Sequence, residues 1–193
     1  MLPYVQSLAL LACCVYATIP AFWLTLHPFT QHWRARGRHS FKAILPLWWL
    51  YIGLIFAALF PWRHHTLYAT RYAYIPAALL ILTGFVLYRA ATRDFGHVEI
   101  SGLAELEPDR HRQALVTAGI RGRVRHPIYL GHLCELLGWT IAFGTVSLFV
   151  VAAFAIVTGA IMLPLEDREL EARFGSPYRD YRKSVPAIIP RIF

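Results

Sequence analysis

The sequence is short of charged residues, and of acidic ones above all. Only 16% of its 193 residues are charged, and 11 Asp and Glu face 19 Lys and Arg. Apolar residues make up 57% of the chain, and the mean hydropathy is +0.45. Soluble globular domains carry about 25% charged residues. This composition therefore excludes an ordinary soluble fold and predicts a polytopic membrane protein.

The chain also has few cysteines, three in all. Cys13 and Cys14 are adjacent within one apolar segment, and Cys134 lies in another. This arrangement provides neither a disulfide framework nor the ligand spacing of a zinc site. We therefore expect all three to serve packing, and no metal site is predicted.

Five long apolar stretches separate the polar loops. A helix crosses a hydrocarbon core of about 30 Å with roughly 20 residues. The predicted fold is all-α, with about five transmembrane helices, of which the last two form a helical hairpin joined at Gly144. The first stretch lacks a preceding basic region and exceeds the apolar core of a signal peptide, so we expect it to be retained. The predicted spans are residues 4–26, 43–62, 72–91, 128–143 and 146–165.

Basic residues are distributed unevenly among the loops. Four follow the first span, seven lie around the long segment 92–125 and six follow the fifth span, whereas two follow the second. Because cytoplasmic loops are enriched in Lys and Arg, we expect an external N-terminus and a cytoplasmic active site. Topology accounts for these charges, so no nucleic-acid partner is expected. The chain divides into three N-terminal transmembrane helices (1–91) and a predicted cofactor-binding and catalytic region (92–193) within one integral domain.

Two helices are predicted outside the spans. A short one is expected at 105–115 in the long polar segment. The tail, 166–193, should begin with a cytoplasmic amphipathic helix, because its apolar residues recur at spacings of three and four. These residues are Leu170, Phe174, Tyr178 and Tyr181.

Ionisable residues are concentrated at the start of the fourth span. Residues 125–135 read Arg-His-Pro-Ile-Tyr-Leu-Gly-His-Leu-Cys-Glu, and polar groups at membrane depth are costly and usually functional. A tight hairpin would bring Arg125 and His126 to the depth of Glu166. Pro127 suits a first helical turn, whose free amides would suit an anionic group. Such a site fits a molecule with a carboxylate, an ammonium and hydroxyls, of which S-adenosylmethionine is one.

Several motifs occur in a familiar order over the C-terminal half: Gln-Ala-Leu-Val-Thr-Ala-Gly at 113–119, Arg-His-Pro-Ile-Tyr-Leu-Gly at 125–131 and Glu-Asp at 166–167. Together they resemble the isoprenylcysteine carboxyl methyltransferase and phospholipid methyltransferase superfamily. The resemblance implies an integral-membrane enzyme that uses S-adenosylmethionine, with the tail helping to enclose the cofactor. By that resemblance the cofactor pocket is lined by Gln113, Ala114, Leu115, Val116, Arg125, His126, Pro127, Ile128, Tyr129 and Glu166.

Two positions depart from the superfamily pattern. Members that methylate the prenylcysteine carboxylate carry an arginine one turn before the counterpart of Glu166, where this chain has Met162. Arg121 stands where the family often has an aromatic residue. A carboxylate acceptor without a cation would be buried unpaired, which is costly. The resemblance thus implies methyl transfer to a lipophilic acceptor delivered through membrane lipids, with a prenylcysteine carboxylate disfavoured.

Two ionisable residues lie deeper in the fourth span, three positions apart and on one helical face, His132 and Glu135. The methyl group of S-adenosylmethionine is already electrophilic, so the protein has mainly to align an acceptor and exclude water. A carboxylate or thiolate attacks directly, whereas an amine or phenol needs a base. His132 and Glu135 are predicted to be catalytic, as base or as groups that orient the acceptor, and a structural role for each stays open.

Two other functions are compatible with the sequence. NADPH-dependent membrane reductases of sterols or enones resemble this superfamily in their C-terminal halves, and a non-enzymatic membrane scaffold would need the fold alone. The small size of the chain and its closer Arg-His-Pro-x-Tyr to Glu-Asp pattern favour methyl transfer.

Overall fold

The structure, a computed structural model, describes residues 2–93, 101–111 and 113–190. Within these ranges the regular secondary structure is helical, as predicted, apart from one isolated bridge between Thr66 and Thr145. Short 3₁₀ turns connect several of the helices. The α-helices in this part of the chain are α1 (Leu2–Leu26), α2 (Thr30–Arg34), α3 (Phe41–Leu59), α4 (Tyr74–Thr92), α5 (Leu103–Leu106), α6 (Pro127–Phe143), α7 (Val146–Phe174) and α8 (Ser176–Ser184).

Four helical stretches have the length and apolarity of a membrane span, which makes this an integral membrane protein. They contain α1, α3, α4 and α7, and they correspond to four of the five predicted spans. The predicted fourth span forms α6, which is shorter, with 17 residues. Helix α6 nevertheless extends to the end of the bundle that carries the loop between α3 and α4. There the carbonyl oxygen of Gly144, the residue after α6, accepts a hydrogen bond from Leu67 N–H at 2.7 Å. The apolar stretches are Tyr4–Arg34, Gly37–Trp62, Arg71–Thr92 and Val146–Phe174.

Helices α4 and α6 pack closely because glycines lie between them. A Cβ atom added to Gly84 would lie 2.6 Å from the carbonyl oxygen of Gly131. One added to Gly138 would lie 2.9 Å from the carbonyl oxygen of Ala77. Small residues let membrane helices approach at backbone distance. These contacts hold α6 against α4 along much of its length.

The core joins helices from both parts of the chain. Cys13 and Cys14 on α1 are fully buried in a cluster with Ile52 of α3, Leu136 of α6 and Leu148 of α7. Both thiols are free, which agrees with the packing role expected for them. The N-terminal helices therefore support the C-terminal hairpin directly.

Helix α7 is longer than the predicted span. It runs past residue 165 to Phe174, so residues 166–174 prolong the membrane helix instead of starting a separate one. This segment holds several good helix formers and no breaker before Gly175, whose positive φ ends the helix. The separate helix of the tail is α8. The apolar residues predicted to share one face lie together although two are on α7 and two on α8. Their cluster consists of Leu115, Leu170, Phe174, Tyr178, Tyr181 and Val185.

The short helix predicted at 105–115 is displaced. Helix α5 ends at Leu106, and turns follow in the described residues. Pro108 is the physical reason, because proline disfavours the helical conformation of the residue before it, here Glu107. Residues 94–100 and 112 of the same segment lie outside the described residues.

Candidate active site

A cavity of about 530 Å³ lies at one end of the bundle, where α1, α4 and α7 end and α3 and α6 begin. Its walls come from both halves of the chain, so no single segment builds it. All the site residues predicted from the sequence line it except Glu135. They are Gln113, Ala114, Leu115, Val116, Arg125, His126, Pro127, Ile128, Tyr129, His132 and Glu166.

Asp167 organises the polar end of this cavity from just behind the wall. It is 4% exposed. Arg125 Nη2 donates to its Oδ2 at 2.6 Å, and His126 Nε2 lies 3.0 Å from its Oδ1. The Tyr178 hydroxyl also donates to Oδ1. One carboxylate thus ties α7, the start of α6 and α8 together.

Arg125 is held by the protein rather than left for a ligand. Besides its pair with Asp167, its guanidinium donates to the carbonyl oxygen of Val185. The backbone N–H groups of Arg125 and His126 donate to the carbonyl oxygens of Pro186 at 2.9 Å and Ala187 at 3.0 Å. These bonds fasten the tail across the start of α6, so Arg125 lines the cavity as an anchor of the tail.

His126 lies between two carboxylates. Its Nε2 faces Asp167, and its Nδ1 lies 3.4 Å from Glu166 Oε2. Burial disfavours the charged ring, but the charges and hydrogen bonds of Glu166 and Asp167 together outweigh it and raise the pKa of His126 to about 9. His126 is therefore a cation at neutral pH, which keeps both neighbouring carboxylates compensated.

Two buried imidazole nitrogens on the cavity wall have no hydrogen-bond partner within the described part of the chain. They are His132 Nδ1 and His27 Nε2. Glu166 Oε2 is buried on the same wall and lies 3.4 Å from His126 Nδ1, a distance at which it keeps lone-pair capacity for a further donor. Buried polar atoms in proteins are nearly always hydrogen-bonded. Two unsatisfied imidazole nitrogens beside this carboxylate oxygen therefore indicate a ligand with its own polar groups.

His132 and Glu135 have different surroundings although they share one face of α6. His132 lines the cavity between the rings of Tyr16 and Tyr88, with centroids 5.2 and 5.3 Å away. The Glu135 side chain packs against α4, where a Cβ added to Gly84 would lie 2.6 Å from Glu135 Cγ. The Tyr16 hydroxyl also hydrogen-bonds the Glu135 carboxylate, so of the two residues His132 lines the cavity and Glu135 adjoins it through Tyr16.

The two positions that depart from the superfamily pattern differ in their relation to the cavity. Met162 is fully buried and is not part of the described cavity wall. Arg121 lines the cavity, and its Nη1 donates to the carbonyl oxygen of Ala91 at 2.8 Å, which ties the wall to the end of α4. Among the described residues, no group of three His, Cys, Asp or Glu side chains is suited to a metal ion.

The N-terminal half supplies a wall that the sequence did not reveal. Apolar residues within a span resemble lipid-facing residues, so nothing local marks the ones that face a cavity. The sequence does carry a signal for His27, because His27 is an ionisable residue at the end of a span, as His126 is at the start of one. The apolar wall is formed by Ile19, Phe22, Trp23, Phe41, Leu45 and Trp48.

The family of the chain follows from a match to known proteins. The family model for phospholipid methyltransferases matches residues 72–176, more than half of the chain. The chain belongs to the phospholipid methyltransferase family. The matched region contains the whole of α4, α5, α6 and α7, and the predicted resemblance is confirmed.

Several curated relatives of this family member carry a methyltransferase name. Methanethiol S-methyltransferase 2 of Bradyrhizobium diazoefficiens is 32% identical over 57% of this chain and 44% of its own length. Methanethiol S-methyltransferase of Pseudomonas deceptionensis is 25% identical over 89% of this chain and 54% of its own length. A delta(14)-sterol reductase of Mus musculus is 29% identical over 62% of this chain and 32% of its own length. The chain spans about half the length of the methyltransferase relatives it matches. No solved structure matches it significantly.

Proposed function

We propose that this protein transfers a methyl group from S-adenosylmethionine to a small lipophilic acceptor that enters the cavity from the membrane. The observation that carries the proposal is the common cavity: family motifs at 113–116, 126–129 and 166, far apart in the sequence, line the same space. The names of the relatives support methyl transfer as the reaction.

The polar end of the cavity suits the methyl donor. S-adenosylmethionine, when bound, supplies a methyl group that its sulfonium charge has already activated. Glu166 Oε2 is buried and lies 3.4 Å from His126 Nδ1, and its remaining lone-pair capacity suits the ammonium group or the ribose hydroxyls. The segments 113–116 and 126–129 form the adjoining wall. His126 compensates the charge of Glu166 and holds it in place.

The apolar end suits the acceptor. Its walls on α1 and α3 include Phe22, Trp23 and Trp48, which exclude water from the reacting groups. Leu45 of α3 lines the cavity and is 40% exposed. We therefore propose that a lipophilic molecule reaches the cavity sideways from the bilayer, past α3.

A thiol is the acceptor class that we propose. The relatives are named for methyl transfer to methanethiol, a small apolar thiol. Met162 stands where the carboxylate-orienting arginine of the prenylcysteine enzymes would lie, and burying an unpaired carboxylate is costly. A thiol needs no cation to neutralise it on arrival. His132, on the wall between donor and acceptor regions, would contact and orient it.

The donor site is tested by calorimetry with S-adenosylhomocysteine on the protein in detergent. Glu166→Gln should weaken binding by about tenfold or more, because a hydrogen bond to a charged group contributes roughly 1.5–3 kcal/mol. Glu171→Gln is the matched control, since Glu171 lies on the same helix and pairs with Arg179 at the surface.

Three results would contradict the assignment. Equal affinity in wild type and Glu166→Gln would remove Glu166 from the site. Tight binding of NADPH without binding of S-adenosylhomocysteine would favour a reductase, as in the sterol reductase relative. Binding of neither cofactor would favour the scaffold. Transfer of radiolabelled methyl groups to thiols and to lipid extracts then identifies the acceptor class.

A further inference from the structure

A second acid and histidine pair lies on the wall of the same cavity, and the donor site does not use it. His27 Nδ1 lies 2.9 Å from Glu105 Oε1, and the two side chains are 3% and 4% exposed. The Thr30 hydroxyl donates to the same carboxylate oxygen at 3.1 Å. The Trp23 ring stacks on His27 with a centroid distance of 5.0 Å and an interplanar angle of 12°. The imidazole is therefore fixed on its face and at one edge.

The backbone conformation at the start of α5 places Glu105 in this position. Gly102 has a φ of +79° at the start of α5, and a Cβ there would lie 2.9 Å from the Trp23 ring. Only glycine meets both requirements. Arg34 Nε donates to the carbonyl oxygen of Glu105 at 2.9 Å and holds α5 from the other side. Two segments 78 residues apart thus meet to build one buried pair.

The pair defines which nitrogen of His27 can act on a ligand. An ionised carboxylate only accepts hydrogen bonds, so Nδ1 carries the hydrogen that Glu105 accepts. The neutral ring then has its lone pair on Nε2. That atom is buried and has no hydrogen-bond partner in the described part of the chain, and His27 lines the cavity. A carboxylate-oriented imidazole with a free Nε2 is the arrangement that activates nucleophiles in enzymes.

A thiol acceptor needs such a group. The thiolate, not the thiol, is the nucleophile, and most of an alkanethiol is protonated at neutral pH. We propose that His27 is the catalytic base that removes the proton of the acceptor thiol, and that Glu105 is the positioning residue that orients its ring. This inference rests on the proposed thiol methylation.

The step balances within the cavity. The thiol sulfur forms a bond to the methyl carbon while the bond between that carbon and the sulfonium sulfur breaks, and the thiol proton moves to His27 Nε2. A thioether and S-adenosylhomocysteine result, and the imidazolium returns its proton to water when the products leave. No oxidant, reductant or metal takes part.

The other histidines on the wall are less suited to this step. Both ring nitrogens of His126 face carboxylates, so His126 has no lone pair to offer. His132 lies between two tyrosine rings, and no described carboxylate pairs with it. His27 directly follows the part of α1 that carries Phe22 and Trp23 of the apolar wall. Its location matches the region that suits a lipophilic thiol.

The test compares two thiols of different acidity. With an alkanethiol, His27→Gln should lower kcat about 10²- to 10⁴-fold, the usual contribution of a general base. With an aromatic thiol, which is already largely thiolate at neutral pH, the loss should stay below about tenfold because no base is needed. Glu105→Gln should show the same selectivity with smaller losses. His39→Gln, on an exposed 3₁₀ turn (Gly37–Ser40) outside the cavity, is the matched control.

The outcomes separate this inference from the proposed function. Equal losses with both thiols would overturn the base assignment, as would alkanethiol-selective loss in His132→Gln but not in His27→Gln. A wild type that binds S-adenosylhomocysteine but methylates neither thiol would overturn thiol methylation itself, and the base role with it. Calorimetry with S-adenosylhomocysteine checks that each variant is folded. If His27→Gln does not bind it, Glu105→Gln carries the same comparison.

Discussion

His126 and Asp167 show how single residues define the polar end of the cavity. The sequence places both within the family motifs, but it does not reveal that Asp167 accepts hydrogen bonds from Arg125, His126 and Tyr178 at once. The neighbouring carboxylates of Asp167 and Glu166 therefore have different surroundings. Asp167 is engaged by three side chains of the protein, whereas Glu166 Oε2 faces His126 Nδ1 at 3.4 Å and is the oxygen that we propose for the ligand.

The charge of His126 predicts a loss of stability in alkali. Its pKa is about 9 in the folded protein and 6.5 in the unfolded chain. Because the pKa is higher in the folded protein, protonation of His126 stabilises the folded state fully below pH 6.5. This contribution disappears as the pH rises through about 9. Each pKa unit corresponds to about 1.4 kcal/mol, so the effect should amount to a few kcal/mol. Thermal unfolding in detergent should show Tm falling across this interval in wild type and less steeply in His126→Gln. Parallel curves would contradict the assignment.

At the scale of helices, the contact between α4 and α6 positions the start of α6 in the cavity wall. Helical spacing and apolarity predicted both helices with good bounds, because these signals are local. The sequence does not mark the glycines that let the two backbones meet, because a glycine in an apolar run carries no sign of its partner. Their role follows from the partner surface, which the structure supplies.

This contact predicts opposite behaviour of two glycines. Gly84→Ala should destabilise the protein by about 1–3 kcal/mol, because the added methyl group meets the Gly131 carbonyl oxygen and the Glu135 side chain. Gly53→Ala on α3 is the control. A Cβ at Gly53 meets nothing within 4 Å, and alanine is the better helix former. The measurement is the midpoint of unfolding in detergent, and similar shifts in the two variants would exclude tight packing at Gly84.

At the scale of the whole molecule, the structure gathers the cavity and the strongly basic loops at one end of the bundle. The described basic residues that follow α1, that lie between α4 and α6 and that follow the membrane part of α7 adjoin the ends of the helices that line the cavity, and the loop with two basic residues lies at the other end. We propose on this basis that the active site faces the cytoplasm and that the N-terminus is external.

The orientation of the protein in the membrane can be measured with two variants, each of which carries one added cysteine at one end of the bundle. His39 and His65 are both exposed. On intact cells, a membrane-impermeant maleimide should label His65→Cys, and it should label His39→Cys only after permeabilisation. The unmodified protein, with Cys13 and Cys14 buried and Cys134 half-buried, gives the background. The reverse labelling pattern would place the active site on the external face.

The sequence by itself determined the helices, the ionisable residues at their ends and the family. Apolar runs, helical spacing and motif order are properties of neighbouring residues, so they can be read without the fold. Only the tertiary structure decided that Glu135 packs against α4, that Arg125 anchors the tail, and that His27 meets Glu105 across 78 residues. These relations depend on which helix faces meet, and faces from distant segments meet only when the whole bundle packs.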